Sequence, residues 1–186
     1  LFKQEKQLFP LVPLTKCFVY GYRIHDITIN KTLHPSMKVV KVTKSNLQDF
    51  YLFLEKQKER FDCIITPDIS QLAYLIQSES MYIYCLYDHK TVIACYVFKN
   101  TYYYYKRELC LECIASISNA YFNENFVEGF ITAMHMCNKK IKATNIFVEY
   151  SSDNYELYAS LKSNPGACLA YYTAFFYLYN YRYSSL

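Results

Sequence analysis

Few residues in this chain stand in a spacing that could do chemistry. Cys110 and Cys113 form a single Cys-x-x-Cys. It has no second pair, and residues three apart on a strand face opposite ways, so it does not read as a zinc site. The four histidines, His25, His34, His89 and His135, share no ligand spacing, and no metal is expected. His135 reads as the polar edge of a core helix rather than a general base. No Ser-His-Asp or paired-carboxylate pattern stands out along the sequence. An acyl-CoA or nucleotide phosphate would call for backbone donors at a helix N-terminus, as a rule from a glycine-rich loop. The loop before the best helix, Asn119-Ala120-Tyr121-Phe122-Asn123-Glu124, has no glycine, and Glu124 would repel phosphate. The chain holds only three glycines. Gly129 falls mid-helix, where it permits close packing.

The 22 tyrosines admit three readings. They can be ordinary strand material, the lining of a peptide groove, or stacking platforms for single-stranded nucleic acid. A net charge of +4, with both signs mixed, is too weak to argue for a nucleic-acid partner.

The 186 residues, 53% apolar, suffice for one domain with a true core. The eight cysteines lie scattered in apolar runs, as free thiols do in a reducing cytoplasm. No apolar run is long enough for a membrane helix, no signal peptide opens the chain, and no integral membrane contact is expected.

The elements that must position these residues can be read in order. Residues 1–36 read as an irregular arm or the tail of a preceding domain, broken by Pro10, Pro13 and Pro35, with short strands over Cys17–Tyr22 and Ile24–Ile29. The domain proper runs over 37–186. Met37–Thr43 is a strand. A helix capped by Ser45 carries Leu47, Phe50, Tyr51 and Leu54. A second helix, capped by Thr66 with Pro67 in its first turn, carries Ile69, Leu72, Leu75 and Ile76. Met81–Tyr87, a turn at Asp88-His89-Lys90, Thr91–Phe98 and Glu108–Ser118 make a meander, with Tyr102–Tyr105 in its second connection. Glu124–Lys140 is the strongest amphipathic helix. Ala143–Tyr150 is a strand, Asp153–Lys162 a helix, and Ser163–Gly166 a turn into a long aromatic strand from Ala170. That strand is apolar on both faces, which places it inside the sheet. The order β-α-α-β-β-β-α-β-α-β predicts an α/β (α+β) fold, a mixed sheet with helices on both faces.

This order is similar to that of the GCN5-related acyltransferase (GNAT) fold, in which an acyl-CoA binds where two strands splay apart. At the C-terminus, Phe176-Tyr177-Leu178-Tyr179-Asn180-Tyr181-Arg182 resembles the Tyr-Tyr-Leu-Tyr-Asn-Trp-Arg/Lys ending of the N-myristoyltransferases. Lys58-Glu59-Arg60-Phe61-Asp62 resembles that family's Lys-Lys-Phe-Asp, and Met81–Phe98 and Ala133–Lys140 resemble the elements that follow. The resemblance covers residues 37–186 and corresponds to the C-terminal half of a two-domain enzyme. It departs from the family at Lys162–Cys168, where a glycine-rich signature is replaced.

The resemblance implies transfer of a fatty acyl group from acyl-CoA to the N-terminal glycine of a peptide. The terminal carboxylate of Leu186 would serve as general base. Tyr96, Phe98, Phe147, Glu149, Tyr177, Tyr179 and Asn180 would line the peptide groove. No cofactor is expected in this domain alone. Myristoyl-CoA would enter as substrate through a half upstream of Leu1, whose position in place of an initiator Met is in keeping with such a half. The alternative is a catalytically inactive module that binds a peptide or protein partner. Oligomeric state is not legible.

Overall fold

In the computed structural model, residues 12–28, 31–60, 67–103, 108–119, 125–150, 154–162 and 168–178 are described. The elements are β1 (Val12–Arg23), a 3-10 turn (Ile24–Asp26), β2 (Met37–Lys41), α1 (Leu47–Gln57), α2 (Ile69–Gln77), β3 (Tyr82–Asp88), β4 (Thr91–Tyr103), β5 (Glu108–Ser118), α3 (Phe126–Ile141), β6 (Asn145–Tyr150), α4 (Tyr155–Lys162) and β7 (Cys168–Leu178). Seven strands form one sheet in the order β2-β3-β4-β5-β6-β1-β7. All neighbours are antiparallel except β5 and β6. The expected mixed α+β fold is present.

Two helices cover each face, as their apolar stripes require. Phe126, Phe130, Ile131 and Met134 of α3, with Leu157 and Leu161 of α4, pack on Tyr84, Leu86, Tyr96, Phe98, Leu111, Ile146 and Val148. Leu47, Phe50, Phe53 and Leu54 of α1, with Leu72 of α2, pack on Ile83, Cys85, Val92 and Cys95. The meander turns where expected, at His89-Lys90, with His89 at φ 52° in the left-handed region that tight hairpin turns use. Gly129 does permit close packing. A Cβ there would lie 2.4 Å from the Tyr96 hydroxyl.

The ends of the chain depart from expectation. Among the described residues β7 is an edge strand, paired only with β1. The interior place expected for it is taken by the N-terminal strand, which lies between β6 and β7. Apolar density reports burial and not which strand is the neighbour. Ile24–Asp26 forms a 3-10 turn rather than a second strand. Two caps also differ. Asp68, not Thr66, caps α2, its carboxylate accepting from Gln71 N while the Gln71 side chain accepts from Asp68 N. Asn46 precedes α1, and its side chain spans the entry loop, accepting from Thr43 N and donating to Lys41 O. Tyr102 and Tyr103 belong to β4 rather than to a connection. Residues 104–107 and the turn at 163–166 lie outside the described residues.

Cys85, Cys95, Cys110, Cys113 and Cys137 are buried free thiols. Burial pushes the Cys95 thiol up to about 12 and Cys137 up to about 11, so neither offers thiolate at neutral pH. Alkylation of the native protein, mapped by peptide mass, should therefore spare these five while labelling them readily in denaturant. Fast native labelling of Cys95 would contradict the packing of β3 on β4.

Candidate functional site

The sheet opens at one place. β5 and β6 run parallel and pair from Cys110↔Asn145 to Cys113↔Val148, and there the pairing stops. β5 carries an extra residue, Ile114, between the positions facing Phe98 and Val97 of β4. Such a bulge bends a strand and increases its twist, turning it away from its neighbour. From Ala115 to Ser118, β5 is paired with β4 alone. A fork between β5 and β6 results.

Asn154, at the entry to α4 and almost fully buried, spans the fork. Its amide donates to Ser116 Oγ of β5 and to the Glu149 carbonyl of β6, each at 2.8 Å. One side chain thus ties the two strands where their own ladder has ended. Asn154→Ala should cost about 1–3 kcal/mol, the penalty for orphaning buried polar groups, read from urea unfolding. A loss under a few tenths would show the fork to be held by other contacts.

Glu149 is the first residue of β6 beyond the last rung shared with β5. Strand alternation turns it away from the face on which Val148 and Tyr150 are buried, together with Phe147. Among the described residues, the apolar cluster beneath α1 and α2 reaches this face only as far as Ile117 of β5 and includes no residue of β6 or β1. Glu149 and Phe147 are accordingly half-buried. The Phe147 ring lies over Gly21, its cross-strand partner, where a Cβ would come within 2.9 Å of it. Burial raises the Glu149 carboxyl above its ordinary value, the Glu112 carboxylate adds to the rise, and the Lys99 ammonium opposes it. Lys99 pairs with Glu112 at 3.2 Å. The fork therefore carries a carboxyl whose charged form burial and a second carboxylate disfavour, the direction in which a group that accepts a proton is tuned.

Of the residues expected to line a groove, Phe147 and Glu149 stand together here. Tyr96 and Phe98 do not join them, because both are fully buried on the α3 face. The Tyr96 hydroxyl donates to the Phe126 carbonyl at 2.7 Å. Phe98 packs against Tyr84 and Phe130. In this structure neither presents surface to a ligand. Tyr177 is on the edge strand β7, opposite Pro13. Tyr179, Asn180 and Leu186 lie outside the described residues, as does the glycine-free loop from Ala120 to Glu124.

Sequence reading missed Asn154, Ser116, Glu112 and Lys99. Glu112 had a signal, a lone carboxylate inside the apolar run Leu109–Ile117. His135 is held by a hydrogen bond from Nε2 to the Ile27 carbonyl at 3.0 Å, away from the fork. Among the described residues no group of three or more His, Cys, Asp or Glu side chains could hold a metal ion. No helix there is long and apolar enough to cross a membrane.

Solved structures of similar architecture include acetyltransferases. An aminoglycoside acetyltransferase from an uncultured soil metagenomic sample, solved in complex with trehalose, superposes with a TM-score of 0.60 at 14% identity, over 83% of this chain and all of that one. The fold is that of the GCN5-related N-acetyltransferases. A ribosomal-protein-alanine N-acetyltransferase from Brucella melitensis matches with a TM-score of 0.54 at 6% identity, over 68% of this chain and 88% of that one. A predicted acetyltransferase from Clostridium acetobutylicum, solved with acetyl-CoA, matches at 0.53 and 10%, over 67% and 87%. No protein-family model and no curated protein matches the sequence.

Proposed function

We propose that this domain transfers an acyl group from an acyl thioester to a primary amine at the β5–β6 fork, with Glu149 as the general base. The observation that carries this reading is the position of Glu149: half-buried, raised, and first past the last shared rung. An ammonium must lose a proton before it can attack a thioester. A carboxylate with a raised pKa is a stronger base than an ordinary one and takes that proton more readily, and the proton passes to solvent when the product leaves. The amine would form its new bond to the acyl carbon as the carbon–sulfur bond breaks, and the thiolate would leave as CoA thiol by taking the second proton that the amine nitrogen gives up on becoming an amide. Acyl-CoA is thus a substrate rather than a resident cofactor.

A finer reading makes the acceptor the N-terminal glycine of a peptide and the donor myristoyl-CoA, held with the help of an upstream half, with the Leu186 carboxylate as base. One feature favours it. β7 runs antiparallel to β1, as β6 does, so its C-terminal end at Leu178 leaves the sheet on the same side as the fork. The aromatic ring of Phe147 beside Glu149 is suited to a peptide backbone.

One assay separates the readings: release of CoA thiol from acetyl-CoA and from myristoyl-CoA, with small amines, a glycine-starting peptide and its N-acetylated form as acceptors. Turnover of acetyl-CoA with small amines, lost in Glu149→Gln, supports the first reading. Turnover confined to myristoyl-CoA and the free glycine peptide, and lost when residues are appended after Leu186, supports the second. No thiol release with any pair overturns both and leaves a binding module.

A further inference from the structure

A second site lies at the other end of the parallel pair. β5 and β6 begin at Glu108 and Asn145, about four residues and roughly 13 Å before the fork. A cavity of about 570 Å³ opens there, lined among others by Arg23 at the end of β1, His25 of the 3-10 turn, Glu108, Asn145, and His135 and Asn138 of α3. Its walls are fixed by local geometry. Asn138 closes the end of α3 by donating to the Ala143 carbonyl and accepting from Ala143 N. The Ile24 amide donates to the Thr144 carbonyl at 3.0 Å, pinning the 3-10 turn to the start of β6.

The walls carry both signs of charge, with Arg23 exposed and Glu108 half-buried. Arg23 stands directly across the ladder from Asn145. Among the described residues, no ion pair involves the Arg23 guanidinium, and none joins it to Glu108. One Glu108 oxygen accepts from the Asn145 amide at 2.8 Å, and among the described residues no ion pair involves its carboxylate. His25 has its own partner in Asp26 at 3.0 Å. Opposite charges thus line one cavity without meeting. A guanidinium prefers a planar anion that can take two parallel hydrogen bonds, and a carboxylate prefers an ammonium.

We infer that this cavity binds a small zwitterion of the free amino-acid class, its carboxylate on Arg23 and its ammonium on Glu108 and Asn145. The inference is independent of acyl transfer at the fork.

The test is binding of free amino acids to the whole chain by ligand-observed NMR and calorimetry, with acetate and methylamine as single-charge controls. Saturable binding of at least one amino acid and of neither control is expected. Arg23→Met and Glu108→Gln should each weaken it by about tenfold or more, the worth of one charged hydrogen bond. Arg23→Lys should retain part of the affinity, and thermal melts should show all three variants folded. Binding of the controls equal to that of the amino acid, unchanged affinity in both charge-removing variants, or no binding by any free amino acid would overturn the inference.

Discussion

Glu149→Gln is expected to cut acyl transfer by roughly a hundred- to ten-thousand-fold, the usual worth of a positioned base, and to leave the fold more stable at neutral pH than Glu149 does. The two effects share a cause. Burial and the Glu112 charge raise the folded-state pKa of Glu149 above its unfolded value. Between those values the folded chain binds more protons than the unfolded one, so stability falls as pH rises through that window and stays lower above it. Glutamine is neutral throughout and removes the fall. Urea midpoints measured across that window should therefore converge at acid pH and separate toward neutral, with the variant the more resistant. A variant that keeps its turnover would move the base elsewhere, with Leu186 the next to test. A variant less stable than the parent at neutral pH would mean that the charged carboxylate is stabilised where it sits.

The second large effect is structural. Gly129→Ala should destabilise the protein by about 2–4 kcal/mol, although alanine is the better helix former by about 1 kcal/mol. The added methyl meets the Tyr96 hydroxyl at 2.4 Å and Leu86 Cδ2 at 3.1 Å. The tyrosine has nowhere to retreat. It is fully buried, its ring packs against Phe126 and Phe130, and its hydroxyl is committed to the Phe126 carbonyl. Moving it costs overpacking strain and a buried hydrogen bond together. For a chain of this size the melting temperature should fall by roughly 5–15 °C. In a Tyr96→Phe background the hydroxyl is gone and the same substitution should cost much less, a coupling that a double-mutant cycle measures directly. An equal cost in both backgrounds would place the clash elsewhere.

Local order in this protein was legible because it is written locally. The stripe Phe126, Phe130, Met134, Cys137 recurs at helical spacing, and β5 began and ended at Glu108 and Ser118 as read, since the run between them is apolar and bounded by polar residues. Partnership was not legible. Nothing within Val12–Arg23 says that its neighbours are β6 and β7, and the density of aromatic residues in β7 suited an interior place as well as an edge. The candidate site was half legible for the same reason. Phe147 and Glu149 were reached as the positions that correspond to a peptide-facing run whose residues this chain does not keep, and the structure puts both beside the fork. Tyr96 and Phe98 came with them, but strand alternation does not say which face a helix will cover. Asn154 had no local signature beyond its place before a helix. Its role depends on Ser116, 38 positions earlier.

The placement of β1 also governs how the chain can fold during synthesis. Among the described strands β1 is made before the others, yet its rungs are made with Asn145–Tyr150 and Cys168–Leu178, the last two of them. Contacts so far apart in sequence carry a large loop-closure cost and slow folding. The meander β3–β5 can assemble on α1 and α2 while the chain is still growing, but β1 must wait with its edges open until β6 and β7 have been made. Val12 finally pairs with Leu178, so the first and last strands zip together side by side. Linking those neighbouring ends and cutting the chain between β1 and β2 would make all three strands consecutive. Such a circular permutant should fold faster than the parent to the same sheet.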